Sequence, residues 1–121
     1  MTFAESLLAS LPIVLIKDCY DGDTCKTSTG EKIRLACIDA PELKGRKADP
    51  IPANASKDFL NNLIANQEVS IKRITNDRYG RTVGELFKDE LNIQELILEK
   101  GYGKIYKKYA INVNGVRNKR I

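Results

Sequence analysis

The chain has 121 residues, 42% hydrophobic and 30% charged, which allows one domain with a core and excludes both a mainly disordered chain and two independently folding domains. Twenty Lys and Arg against 16 Asp and Glu leave a formal charge of +4, a field that favours polyanions without specifying one. There is no histidine, so imidazole is removed as general base, metal ligand or triad member, and catalysis is left to carboxylate, guanidinium, amine and phenol.

Phe3, Leu7 and Leu8 recur at helical spacing and predict a short helix or an arm over residues 1–10. The apolar run Ser6 to Ile16 is 11 residues long and contains Pro12, too short and too interrupted to span a membrane as a helix. Met1 to Ser10 lacks the basic start and cleavage pattern of a complete signal peptide, so compartment stays open. Ile13 to Cys19 reads as a strand, Tyr20-Asp21-Gly22-Asp23 as its turn and Thr24 to Ser28 as a second strand. After a turn at Thr29-Gly30-Glu31, Lys32 to Ile38 reads as a third strand, with Ile33, Leu35 and Cys37 on one face and Arg34 on the other. Cys19, Cys25 and Cys37 are an odd set without Cys-x-x-Cys spacing; the expectation is buried thiols in strands, since a Cys19–Cys25 bridge needs strand register to bring the pair together.

Pro41 to Pro52 lacks periodicity and reads as an exposed loop, followed by Asn54 as N-cap of a helix whose inner face carries Ala55, Phe59, Leu60, Leu63 and Ile64. Glu68 to Ile74 reads as a fourth strand, Asn76 to Arg81 as a turn and Thr82 to Phe87 as a fifth strand. Asn92 caps a second helix through Lys100, with Leu96 and Ile97 inward and Gly101 ending it. Connections this short exclude repeated crossovers and favour a mainly β, α+β fold. The expected architecture is a five-stranded OB-fold barrel with two or three helices over residues 11–109, followed by a basic tail over residues 110–121.

Three clusters carry the chemistry: Asp21-Gly22-Asp23-Thr24, then Arg34 through Asp39-Ala40-Pro41-Glu42, then Asp77-Arg78-Tyr79-Gly80-Arg81. Asp23, Asp39 and Glu42 offer hard carboxylate oxygens and Ala40 a backbone carbonyl, a mixed oxygen shell that calcium accepts more readily than magnesium. Arg34 and Arg81 can grip a phosphate, and the combination points to phosphodiester cleavage.

At these residues the chain resembles the staphylococcal nuclease, or thermonuclease, family, from about Ile13 to Tyr109. The resemblance implies that Asp23, Asp39 and the Ala40 carbonyl bind calcium, with Asp21 supporting the turn or the outer metal shell. It implies that Arg34 and Arg81 clasp the scissile phosphate, that Glu42 orients or deprotonates the attacking water, and that Tyr79 and Tyr109 contact the nucleotide. Lys44, Lys47, Lys104, Lys107 and Lys108 are phosphate-contact candidates. Tyr106 stands one position from where the family's other aromatic is expected, and Lys107 occupies that place. The implied activity is a calcium-dependent, sugar-nonspecific endonuclease cutting DNA and RNA, with single-stranded or frayed regions preferred and 3′-phosphate ends left. A monomer without membrane association is the expectation, and the resemblance adds secretion or the cell envelope to a cytoplasmic location as possible compartments. Two departures stand out: the loop after Glu42 is shorter than in the best-known member, and its long basic C-terminal helix is not recognisable after Tyr109. The alternative is a non-catalytic nuclease-like barrel that binds nucleic acid or protein, against which the joint presence of Asp23, Arg34, Asp39, Glu42 and Arg81 argues.

Overall fold

The computed structural model describes residues 10–46 and 48–106. Strands β1 (Ile13–Asp21), β2 (Thr24–Thr27) and β3 (Lys32–Leu35) form an antiparallel meander, and β5 (Glu68–Asn76) and β6 (Thr82–Lys88) a long hairpin. β1 pairs antiparallel with β5, and β3 pairs parallel with β6, which closes five strands into a mixed barrel. This is the expected OB-fold. Closure leaves none of the five with both edges open, which removes the hazard of unpaired strand edges. The short strand β7 (Leu91–Asn92) extends the sheet from β6, while β4 (Ile38–Asp39) and β8 (Lys104–Ile105) make a separate two-stranded ribbon.

The core follows from strand alternation. Ile16, Ile33, Leu35, Ile71 and Leu86 point inward and meet Leu60 and Ile64 of α1 (Pro50–Ile64) and Ile93 and Ile97 of α2 (Ile93–Glu99) in one cluster. Burial of side chains this large contributes about 1.5–3 kcal/mol each before entropy is counted. The second helix forms as its sequence predicts. Asn92 caps it by accepting from the Glu95 amide at 2.9 Å, and Gly101, at φ 78°, ends it while the Gly101 and Tyr102 amides donate to the carbonyls of Leu98 and Ile97. Its inward face differs from expectation, because Gln94 is buried where Leu96 is only half-buried. The Gln94 amide donates to the Leu86 carbonyl and accepts from its N–H, which satisfies a polar group in the core.

Three further expectations are corrected. The third strand ends at Leu35 rather than Ile38, because Arg34 Nη1 donates to the carbonyls of Leu35 and Ile38 and curls the chain around its own guanidinium. Cys37 is thereby set at φ 67° in a second cluster with Ala36 and Val83, off the Ile33 and Leu35 face. The first helix starts at Pro50, where a residue without an N–H costs nothing in the first turn, so the loop ends at Asp49 and Asn54 lies one turn inside, donating to the Pro50 carbonyl. That shift turns Ala55 outward and buries Ala53 and Ser56 instead. Finally, Cys19 and Cys25 are register partners on β1 and β2 with Cα atoms 3.8 Å apart, and they form a disulfide; only Cys37 of the expected buried thiols remains one. The expected N-terminal helix or arm and the tail lie outside the described residues, within which no helix is long and apolar enough to cross a membrane.

Candidate active site

The β1–β2 hairpin turn, at residues 21–24, and the β5–β6 turn, at residues 77–81, emerge at the same end of the barrel, because Thr24 pairs with Arg34 and Arg34 with Val83. Strand β3 lies between them and carries Arg34. A cavity of about 850 Å³ opens there, lined by all three sequence clusters.

On one wall, Asp23 is 6% exposed; its Oδ2 accepts from the Ala40 N–H at 2.8 Å and its Oδ1 from the Thr24 hydroxyl at 3.0 Å. Asp21 Oδ1 accepts from the Asp23 N–H, an Asx-type contact that fixes the turn. Arg34 Nη2 sits 3.5 Å from both Asp23 Oδ2 and Asp39 Oδ1, so the two carboxylates flank one guanidinium. Burial raises the Asp23 carboxyl to about 6, with Arg34 opposing the rise and Asp21 adding to it.

The hairpin is anchored from behind. The Asn61 side chain on α1 accepts from the Cys19 N–H at 2.8 Å and donates to the Cys19 carbonyl at 2.9 Å, a two-point clasp next to the disulfide. A Cβ at Gly22 would overlap Ser56 Oγ and Ala40 Cβ, so glycine is what allows α1 to approach the turn.

On the opposite wall, Asp77 holds Arg81 through Nε at 2.6 Å while accepting from the backbone N–H groups of Arg81 and Tyr79 at 2.9 Å each. Burial pushes the Asp77 carboxyl up, but these hydrogen bonds outweigh it and hold it below its ordinary value. The bond to Asp77 runs through Nε, and Arg81 lines the cavity. Tyr79 is 67% exposed, with the guanidinium groups of Arg78 and Arg81 4.9 and 5.5 Å from its ring centre. Glu42 is exposed on the loop at the rim, and its backbone is fixed by accepting from the Asp49 N–H.

The structure therefore gathers Asp21, Asp23, Arg34, Asp39, Ala40, Glu42, Tyr79 and Arg81 around one cavity, together with Lys44. Lys104 lines a smaller adjoining cavity of about 400 Å³, and Tyr109, Lys47, Lys107 and Lys108 lie outside the described residues. Among the described residues, no three carboxylates or thiols form a metal cluster. The carboxylates facing Arg34 are those of Asp23 and Asp39, hard oxygen donors that suit a cation completing its shell with water and phosphate oxygens. A desolvated carboxyl crowded by Asp21 is also a group that a cation would relieve.

Three residues at this cavity carry little signal in the sequence. Tyr20 and Tyr106 line it, and the Arg34 guanidinium lies 5.6 Å from the Tyr106 ring centre. Asp77 acts as the brace of Arg81. The signal for Tyr20 was its place next to the Asp21-Gly22-Asp23 turn, although a bulge between Cys19 and Asp21 interrupts the alternation there.

The family model for staphylococcal nuclease homologues matches residues 32–119. An "uncharacterized endonuclease" of Escherichia coli O157:H7 is 33% identical over 93 residues, covering 74% of this chain and 58% of the relative. A "probable staphylococcal-like nuclease" of Oryza sativa subsp. japonica, CAN3, is 34% identical over 109 residues, covering 88% of this chain and 27% of the relative. "Endonuclease Htp3" of Saprolegnia parasitica is 32% identical over 96 residues, covering 74% and 45%. The chain thus spans little more than half the length of the bacterial relative and about a quarter of the plant one.

Proposed function

The chain belongs to the staphylococcal nuclease family, and from that premise we propose that it is a calcium-dependent endonuclease hydrolysing phosphodiester bonds of DNA and RNA. The observation that carries the reading is the convergence of two arginines and the carboxylates Asp23, Asp39 and Glu42 on one cavity. A bound calcium ion would be held by Asp23, Asp39 and the Ala40 carbonyl, and would supply positive charge to polarise the phosphoryl oxygen. Arg34 Nη2 and the terminal nitrogens of Arg81 take the non-bridging oxygens, where they stabilise the charge that develops in the transition state. Arginine stays protonated at working pH, so charge stabilisation describes its part better than proton donation. Glu42, exposed at the rim, orients or deprotonates the attacking water, and Tyr79 offers an aromatic face to a base. Aromatic faces accept any base, and a cavity open to splayed nucleotides favours single-stranded or frayed regions. Cleavage of the bond to the 5′ oxygen then leaves 3′-phosphate ends. We assign the catalytic unit to the barrel over residues 11–109, acting as a monomer.

Incubation of end-labelled single-stranded DNA with the purified chain tests this. Calcium-dependent cutting that stops with excess chelator and is lost in Asp23→Asn supports the enzyme. A folded chain that binds the strand without cutting it would instead be a nucleic-acid-binding module.

A further inference from the structure

Three of the four described tyrosines stand open to solvent around one cavity: Tyr20 at 60%, Tyr79 at 67% and Tyr106 at 38% exposure. The fourth, Tyr102, behaves as a packing residue, stacked on Phe59 with ring centres 4.5 Å apart. Tyr79 and Tyr106 each lie against an arginine of the site. Tyr20 is different. Its phenol makes no hydrogen bond, ring stack or cation contact with another described residue, and it stands exposed in the bulge of β1 between Cys19, which is buried and tied to Cys25, and Asp21. A large ring kept exposed on a backbone clasped by Asn61 is an unused stacking face on a rigid support.

Its place in the topology defines what it meets. Tyr20 rides the β1–β2 hairpin and Tyr79 the β5–β6 turn, and these flank β3, which carries Arg34. By strand order, β3 with Arg34 thus has an exposed ring on the hairpin to one side, Tyr20, and another on the turn that leads into β6 on the other, Tyr79, and both line the same cavity. In a polynucleotide every internal phosphate has a base on each side, and base–aromatic stacking is tolerant of base identity. We propose that Tyr20 is a second base-stacking surface, so that the site binds a single-stranded segment of at least two nucleotides with the clasped phosphate between their bases. The inference rests on the nuclease reading and adds to it a binding residue and a minimum substrate.

Cleavage kinetics on short single-stranded oligonucleotides with one preferred cut site test it, using the full chain as wild type, Tyr20→Ala and Tyr20→Phe. Tyr20→Ala is expected to raise KM about 5- to 100-fold, the loss associated with one base stack, with kcat retained, and Tyr20→Phe to restore the affinity. Replacing each base beside the scissile phosphate in turn by an abasic nucleotide should give one strand that reproduces the loss in the wild type and on which Tyr20→Ala adds nothing. An unchanged KM in Tyr20→Ala, or an equal loss on the base-bearing strand and on both abasic strands, would overturn the stacking role while leaving the nuclease intact. A folded wild type that cuts no nucleic acid overturns both. Thermal melting of the variants separates a folding defect from a binding one.

Discussion

Arg34 uses Nη1 on the carbonyls of Leu35 and Ile38, with its side chain 13% exposed, whereas Arg81 is braced by Asp77 and is 29% exposed. Replacement by lysine removes the fork in both but has different side effects. Arg34→Lys should lower kcat about 100- to 1000-fold and also lower the melting temperature, because two part-buried carbonyls lose their donor at a cost of about 1–3 kcal/mol. Arg81→Lys should show a similar loss of kcat with a smaller drop in melting temperature, because Asp77 keeps the backbone N–H groups of Tyr79 and Arg81. Parallel melting curves and single-turnover cleavage check both, and a thermally neutral Arg34→Lys would mean that those carbonyls find other donors. Glu42→Gln, on an exposed rim position, should reduce turnover far more than strand affinity, measured by cleavage rate beside binding in calcium. The site's acids and arginines were legible because each sits in a short motif. Tyr106 and Asp77 acquire their parts from the residues they touch, and contact partners across strands are not written in local spacing.

The hairpin from Cys19 to Cys25 is the element on which Asp21 and Asp23 depend, and the disulfide, the Asn61 clasp and the fit of Gly22 against Ser56 fix it. Gly22→Ala should therefore displace the turn, lowering calcium affinity and kcat while most of the barrel remains, as read by calcium titration beside far-ultraviolet circular dichroism. Asn61→Ala leaves the Cys19 N–H and carbonyl without these bonds and should cost about 1–3 kcal/mol in denaturant unfolding. Glycine and aspartate made this turn readable from sequence, and the Asn92 cap and Gly101 stop made α2 readable. The disulfide was not, since β1 and β2 have register shifts between Ile16 and Asp18 and between Cys19 and Asp21, and such bulges decide which residues face each other. The true end of β3 was hidden for a related reason: Ile33, Leu35 and Cys37 alternate as a strand would, but Arg34 bonds to the carbonyls on which a longer strand would depend. At α1, Pro50 reads as loop punctuation in the sequence, although proline also suits a first helical turn.

Across the whole molecule, Glu31 ties the β2–β3 turn to β5 and β6, accepting from Arg73 Nε and Nη2 at 2.9 and 2.7 Å and from the Thr82 hydroxyl at 2.8 Å. Hydrogen bonding from Arg73 holds the Glu31 carboxyl below its usual 4.5, against the opposing effect of burial. A depressed folded value means that the stabilisation is present above the unfolded value and is lost as pH falls through the folded one, and the lowered Asp77 acts in the same sense. Glu85 has the opposite sign. Burial raises it above 4.5, so its ionisation weakens the fold at neutral pH and that penalty fades on acidification. Melting temperature followed from pH 7 down to pH 3 should accordingly fall less steeply in Glu31→Gln, from a lower neutral value, whereas Glu85→Gln should melt higher than wild type at pH 7. A Glu85→Gln variant that melts lower at pH 7 would mean that the carboxylate's contact with Asn92 outweighs its desolvation. The parallel pairing of β3 with β6 has a consequence in time. It joins segments that are distant along the chain, with Glu31 and Thr82 51 positions apart, and it sets Arg34 beside Val83, two residues after Arg81. The first three strands can form from neighbouring residues alone, but the two arginines meet only when the barrel shuts, and contacts so distant in sequence are slow to form. During refolding, strand content should therefore appear before any cutting, and the return of activity should track the last step of closure.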